Sequence, residues 1–308
     1  MVVLLQSKIN YLNFMYKWES YPYPYCVIDN FLSTNEFNRL QIELNSSSNT
    51  LQTSFKTPLE EKSIYKDKTL KKEAKNIMKI MGSNEIKNLI STQINSSEII
   101  SFSETENFSG YSPFHITKNR GCLGSHVDHS FISNGKFRHI ANTIFYASEV
   151  WEKDWGGQTI LFSRNGFNQK VRIEPIPNRL IIFIHTANSF HGVSLYKSNC
   201  DIERRTFYHD YYVPESEIDK VMHTLNKNRI EKLIHSSHGT TFIPFIPYGL
   251  KNVNFKKLLS VKNFRYFPPY FIYLLNRFTN STHISFKTVP LLRYLYYLYK
   301  FLKKTKLP

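Results

Sequence analysis

Hydrophobic positions along the chain follow two different rhythms. From about residue 108 to 213 the apolar runs are short and end at Gly, Pro or Asn, as in Asn142-Thr-Ile-Phe-Tyr146, Thr159-Ile-Leu-Phe162 and Leu180-Ile-Ile-Phe183. Runs of that length with those boundaries predict β-strands. The Gly156-Gly157 pair ahead of Thr159–Phe162 predicts a turn opening into a strand. Outside this region apolar and polar positions interleave differently. Ile9, Leu12, Phe14 and Tyr16 predict a short lead helix over 1–19, and Tyr21–Phe31 reads as an extended entry. Ser33 or Thr34 is a good N-cap for a helix over Asn35–Leu44. Residues 58–99, with Lys and Glu interspersed, predict helices packed against one side of the sheet. Residues 215–308 predict a mainly helical segment broken at Pro244, Pro247, Pro268, Pro269 and Pro290. The expected fold is α+β with a mainly β core, a double-stranded β-helix (jelly roll) of about eight short strands. N-terminal helices flank it and a mainly helical C-terminal extension follows. The expected division is a domain over 1–214, with its jelly-roll core at about 108–213, and an extension over 215–308.

Composition changes this picture most at the C-terminus. Of the net charge of +16, most lies in residues 215–308, which hold 16 Lys and Arg against 4 Asp and Glu, with no acidic residue after Glu231. A basic, aromatic-rich segment can touch nucleic acid or an anionic membrane. The preference of the whole chain for Lys, Asn, Ile, Phe and Tyr explains the same charge more simply. Pro290–Lys304, apolar on nearly every side and basic at its end, reads either as an interfacial helix making peripheral membrane contact or as a helix buried against the core. Cys26, Cys122 and Cys200 have no paired spacing, so neither a disulfide frame nor a thiolate zinc site is expected, and the expected location is cytoplasmic. The apolar start Met1–Leu5 is too short for a signal peptide, and no uncharged apolar run reaches the length of a membrane span.

The chemistry concentrates in three places. His126 and Asp128 stand two apart, so on a strand both side chains leave one face. His191, from a separate segment, completes two histidines and one carboxylate. That donor set covers one face of an octahedral metal and leaves the other open, as in non-haem Fe(II) oxygenases. Gly121-Cys-Leu-Gly-Ser125, just before the motif, is a stretch of small residues that lets backbone approach closely. Arg204, thirteen residues past His191, can clamp a carboxylate through two parallel hydrogen bonds. On a strand Thr206 shares its face while Arg205 points away. A bulge would exchange the two arginines, so Arg205 stays an alternative. His129 is expected on the opposite strand face from Asp128, and His185 as a core or rim histidine. His115, His139 and His209 have no partner at ligand spacing. Trp151 and Trp155 fit a substrate mouth or turn packing equally.

Five elements in order, His126-Val-Asp128, Trp155-Gly-Gly-Gln-Thr-Ile-Leu-Phe162, Val171-Arg-Ile-Glu-Pro-Ile-Pro-Asn-Arg-Leu-Ile-Ile-Phe183, Ser189-Phe-His191 and Arg204-Arg-Thr206, resemble the Fe(II)/2-oxoglutarate-dependent dioxygenases, prolyl-4-hydroxylase-like branch. The opening Pro24-Tyr-Cys-Val-Ile-Asp-Asn-Phe-Leu32 is similar to the start of many of its members. The resemblance implies Fe(II) on His126, Asp128 and His191, and 2-oxoglutarate held by Arg204 and Thr206. Dioxygen is then the co-substrate and ascorbate a candidate reductant. It implies hydroxylation of an unactivated C–H bond, in a prolyl residue or a small molecule, with release of succinate and CO2. Asn142 and Tyr146 share a strand face whose inward groups commonly contact 2-oxoglutarate in such enzymes, although ordinary strand roles explain them as well. Nucleic-acid dealkylases of this superfold carry a second arginine where Asp210 stands here, which counts against nucleic acid as substrate. Asp128 counts against halogenation, which needs a small residue there. The rival reading is an inactive jelly-roll binding module with a docking tail. Substrate choice is expected to lie in the segment 130–138 and the tail.

Overall fold

The computed structural model describes residues 16–46, 53–57, 59–65, 70–102, 113–132, 136–198, 202–227, 240–244 and 266–279. The expected lead helix, apart from Tyr16–Glu19, and the segment Pro290–Lys304 lie outside the described residues.

A curled, mostly antiparallel β-sheet forms the body. Its strands, in chain order, are β1 (Tyr25–Ile28), β2 (Thr53–Lys56), β3 (Glu60–Tyr65), β4 (Ile100–Ser101), β5 (Phe114–Thr117), β6 (Cys122–Val127), β7 (Phe131–Ile132), β8 (Phe137–Tyr146), β9 (Thr159–Phe162), β10 (Gln169–Ile173), β11 (Leu180–Ile184), β12 (His191–Val193), β13 (Arg204–Pro214) and β14 (Thr241–Phe242). Hydrogen-bonded neighbours run β1-β11-β8-β13-β5-β3-β6-β12-β9-β10, with β2, β4, β7 and β14 pairing off this path. The sequence of neighbours jumps back and forth along the chain, which is the crossing pattern of a jelly roll.

Two parts of this sheet depart from expectation. Residues 60–65 are a strand, not a helix. Its second half pairs with β5 (Ser63↔Ile116, Ile64↔His115) and its first half with β6 (Glu60↔Leu123, Glu61↔Cys122), so β3 joins the two halves of the curled sheet. The charges of Glu60-Glu61-Lys62 imitate a solvated helix face, but Glu60 is buried at 5% exposure and its carboxylate accepts the Tyr266 hydroxyl at 2.8 Å. Local propensity gave way to pairing with two edges. The second departure is β14, a strand inside the extension that was expected to be mainly helical. It pairs with β6 at Thr241↔Val127 and Phe242↔His126.

The helices are α1 (Thr34–Ser46), α2 (Lys72–Met81), α3 (Asn84–Ile94), α4 (Ile218–Lys227) and α5 (Phe267–Thr279). α1 begins with a capping box: the Ser33 N–H donates to Glu36 Oε2 at 3.0 Å, and the Glu36 N–H reaches Ser33 Oγ at 3.4 Å. Leu40 and Leu44 of α1, Ala74, Ile77 and Met81 of α2, and Ile86, Ile90 and Ile94 of α3 form apolar stripes. These pack on Ile140, Phe145, Ile182, Ile184, Phe207 and Tyr211 from the outward faces of β8, β11 and β13. The opposite faces of those strands therefore turn inward, and the polar groups collect there.

Candidate active site

Strand pairing brings the two histidines together. β6 and β12 run antiparallel with His126 directly opposite His191, and the ring centroids are 4.2 Å apart. Close approach of the two backbones needs glycine: a Cβ on Gly192 would stand 2.6 Å from the Leu123 carbonyl oxygen. Asp128 follows directly after β6 and turns its carboxylate to both rings, with Oδ1 3.5 Å from His126 Nε2 and Oδ2 3.3 Å from His191 Nε2. One ligand atom from each of the three lies within 4.8 Å of the others. This is the triad expected from the sequence.

Backbone carbonyls orient the ligands. Nδ1 of His126 is 2.8 Å from the Gly124 carbonyl oxygen, and Nδ1 of His191 is 3.0 Å from that of Ser189. A proton on each Nδ1 is thereby held, which leaves the Nε2 lone pairs aimed at a common point. Asn142 donates to Asp128 Oδ2 at 2.6 Å and fixes the carboxylate plane. Burial, followed by the neighbouring His191, lowers the His126 pKa to about 3, so its ring stays neutral and able to bind metal. Burial would raise the Asp128 carboxyl, but the imidazoles of His191 and His126 hold it well below the usual carboxylate range. The donor set, its tautomers and its charge fit a divalent cation such as Fe(II).

A cation pocket adjoins the triad. Arg204 is 1% exposed and points inward, as strand alternation required. Its Nε donates to the Gly157 carbonyl at 2.7 Å and Nη2 to Thr159 Oγ1 at 3.2 Å, and the guanidinium lies 5.2 Å from the Tyr146 ring centroid. The Tyr146 hydroxyl donates to Thr159 at 2.6 Å. Gly157, at φ +73°, occupies backbone space that a side chain would take from Tyr196 and Arg204. Among the described residues no carboxylate forms an ion pair with Arg204. Arg205 points the other way and bonds Asn45 Oδ1 at 2.6 Å, which separates the two arginines. Thr206, fully buried, has its hydroxyl 3.4 Å from the His115 carbonyl.

Beyond Asp128 lies a polar group that the sequence reading did not assemble. A bulge in the β8–β13 pairing, between Tyr211↔Ala141 and Tyr212↔His139, turns His139 onto the inward face. His139 stacks between His129 at 4.7 Å and His185 at 4.2 Å. The His129 ring nitrogen Nε2 lies 2.9 Å from the Tyr212 hydroxyl, which donates to Asp210 at 3.4 Å. Only the register slip carries the signal for this cluster, and no local motif marks a slip. Trp151 donates to the Gly156 carbonyl at 2.8 Å and Trp155 is buried, so both serve the turn.

Burial pushes the Asp210 carboxyl up to about 7; the Asp128 charge adds to the rise and His129 opposes it. An unfolded aspartate titrates near 3.9. Between those values the folded chain holds a proton that the unfolded chain has lost. Stability therefore falls as pH rises through this window, and the full deficit is present above it. In iron-free protein, Asp210→Asn is expected to melt close to wild type near pH 4 and several degrees above it near pH 8. An offset that stays constant across pH in differential scanning fluorimetry would refute the assignment.

Residues 112–209 match the family model described as the 2OG-Fe(II) oxygenase superfamily. The matched stretch contains both histidines, Asp128 and Arg204. This segment is a 2OG-Fe(II) oxygenase domain. The chain is also similar to a prolyl-4-hydroxylase from Pseudomonas putida, at 15% identity and TM-score 0.44, covering 67% of this chain and 96% of that one. A Trichoplax adhaerens prolyl hydroxylase, in complex with a hypoxia-inducible-factor oxygen degradation domain peptide fragment, is similar at 18% identity and TM-score 0.43, covering 63% and 84%. HygX of Streptomyces hygroscopicus, with nickel, 2-oxoglutarate and hygromycin B bound, gives 11% identity and TM-score 0.39, covering 62% and 82%. No curated protein matches the chain. The oxygenase domain implies an oxidoreductase using Fe(II), 2-oxoglutarate and O2, and the inactive-module reading is not favoured.

Proposed function

We propose that the protein is a hydroxylase in which His126, Asp128 and His191 hold Fe(II) and Arg204 holds the far carboxylate of 2-oxoglutarate. The observation that carries this reading is a buried arginine, without a carboxylate partner among the described residues, on the same inward face as a two-histidine, one-carboxylate cluster. An isolated buried charge costs several kcal/mol, so a fold that keeps one has an anion to place on it. Iron bound here supplies the activation of dioxygen, coupled to decarboxylation of 2-oxoglutarate to succinate and CO2.

The protein's part is placement. The Gly157 carbonyl and Thr159 hold the guanidinium over the Tyr146 ring, so that a carboxylate meets preset donors. Thr206 supports this end of the pocket from the neighbouring inward position. Burial pushes the Tyr146 hydroxyl up to about 12, so it stays a neutral donor beside the anion. Asn142 keeps one Asp128 oxygen occupied and directs the other at the metal. Phe183, 4.8 Å from the His191 ring, walls the pocket against water.

The substrate is a small molecule or a residue of a protein, and within that range a prolyl residue is the finer proposal. Ascorbate is proposed as the reductant that returns iron to Fe(II). Two buried free thiols, Cys26 and Cys122, support a reducing, cytoplasmic setting. We place the end of the jelly-roll core near residue 214, with β14 and α5 of the following segment packed back onto it, and retain peripheral membrane contact by the extreme C-terminus as a proposal. Among the described residues no helix is long and apolar enough to cross a membrane.

Anaerobic titration with Fe(II) and then 2-oxoglutarate tests the site. The expected result is a weak visible charge-transfer band that saturates near one equivalent of each. Folded protein with added iron and no band would refute the proposal.

A further inference from the structure

Residues 241–244 and 266–275 were expected to belong to an appendage, yet they pack on the His126 ring and on the turn that delivers His191. β14 occupies the part of the β6 edge that β3 leaves open. β3 pairs with Cys122 and Leu123, and β14 with His126 and Val127. The Ile243 N–H extends the ladder to the Ser125 carbonyl at 3.0 Å. Strand alternation then sends neighbouring side chains to opposite faces. Phe242 goes inward and lies on the His126 ring, centroids 4.9 Å apart and planes 28° from parallel. Tyr266 backs Phe242 at 5.0 Å and is itself tied down by hydrogen bonds to Glu60 and Thr57. Ile243 goes to the other face, among Val127, Phe162, Phe190, Tyr270 and Tyr273.

The second ligand is reached from the same segment. Tyr273 of α5 packs edge-on against Phe190, the residue before His191, at 5.6 Å. Its hydroxyl donates to the Ala187 carbonyl at 3.2 Å, in the turn that delivers His191. The fit leaves little slack: a Cβ on Gly166 would meet Ile243 at 2.4 Å and Phe190 at 2.7 Å.

We propose that this C-terminal segment is part of the metal centre and that Phe242 is a positioning residue for His126. The inference rests on the iron site proposed above. His126 has its Nδ1 anchored to Gly124, and one hydrogen bond leaves the ring free to swing about that contact. Phe242 on one side and His191 on the other remove that freedom. Iron thus meets Nε2 already aimed, and the ordering cost is met during folding and not at binding. Oxygenase activity in this chain consequently depends on residues well outside the stretch that matches the family.

The test uses the full chain and reads iron uptake, not turnover. Phe242→Ala is expected to raise the Fe(II) concentration for half-saturation about tenfold, the scale of losing a contact that orients a metal ligand. Phe242→Leu, which keeps the strand and its apolar volume, is expected to raise it about threefold and to shift the position of the charge-transfer band. Phe242→Tyr keeps the stacked ring and is expected to titrate like wild type. Melting of the iron-free variants is measured alongside. If Phe242→Leu is folded and takes up iron at wild-type concentrations with an unmoved band, the inference is overturned, whatever its melting temperature. Phe242→Leu decides the matter should Phe242→Ala not fold. Wild-type protein that takes up no iron overturns the proposed function, and this inference with it.

Discussion

His126→Ala is expected to abolish iron binding while leaving the protein folded. The expected loss of Fe(II) affinity exceeds about a hundredfold, since mutations in groups that merely support metal ligands already cost 10- to 100-fold. The ring is replaceable in the fold because its neighbours Phe242, His191 and the β6 ladder do not depend on its Nε2. Its removal leaves a small cavity under Phe242, which costs stability on the order of 2–4 kcal/mol. Circular dichroism therefore should retain the wild-type β signature as the charge-transfer band vanishes. Asp128→Asn is the sharper companion. It keeps the shape and removes the charge that balances the cation, and with its amide oxygen accepting from Asn142 its NH2 is turned toward the metal position. A folded Asp128→Asn protein binding iron as tightly as wild type would remove Asp128 from the donor set.

Arg204→Ala should leave iron binding nearly intact and raise the 2-oxoglutarate requirement by two to three orders of magnitude. A buried carboxylate stripped of its partner costs about 3–5 kcal/mol, and each 1.4 kcal/mol is about tenfold in affinity. Arg204→Lys is expected to recover part of this, because an ammonium restores the charge but not the fork that spans Gly157 and Thr159. Arg205→Ala is the internal control. Arg205 is held on the outer side by Asn45 and Glu203, so its loss should change the requirement by less than about twofold. Equal effects from the two arginines in 2-oxoglutarate titrations would mean that the anion pocket lies elsewhere.

The clustering of the three candidate ligands was legible because its information is local. Two residues at strand spacing and a histidine at the start of another strand suffice, and strand alternation separated Arg204 from Arg205. The β core between 108 and 213 was legible for the same reason, since its short runs have clear stops. Other features are decided at a distance. Glu60-Glu-Lys-Ser-Ile-Tyr65 carries charges suited to a surface helix and is a strand that pairs with β2 along one side and with β5 and β6 along the other. His139 reaches the site through a slip in the β8–β13 register. Thr159 could not be named without knowing that β9 would carry it beneath Tyr146 and Arg204. The role of Phe242 was hidden most completely, because composition drew attention to the charge of the C-terminal segment and not to the single ring it places on His126. In each case a residue's meaning is set by which strand lies opposite, and that is a property of the whole sheet.

The direct opposition of His126 and His191 has a consequence for how the protein matures. Strand pairings that differ by one residue bury the wrong side of a strand. A slipped β6–β12 pair would carry one imidazole to the far side of the sheet, and the donor set would not exist. With iron on the proposed ligands, only correctly aligned chains would acquire it, and the binding energy would draw them out of the pool of misaligned ones. Iron on the proposed ligands would thus add to the preference for this one alignment, on top of the burial that already disfavours a slip.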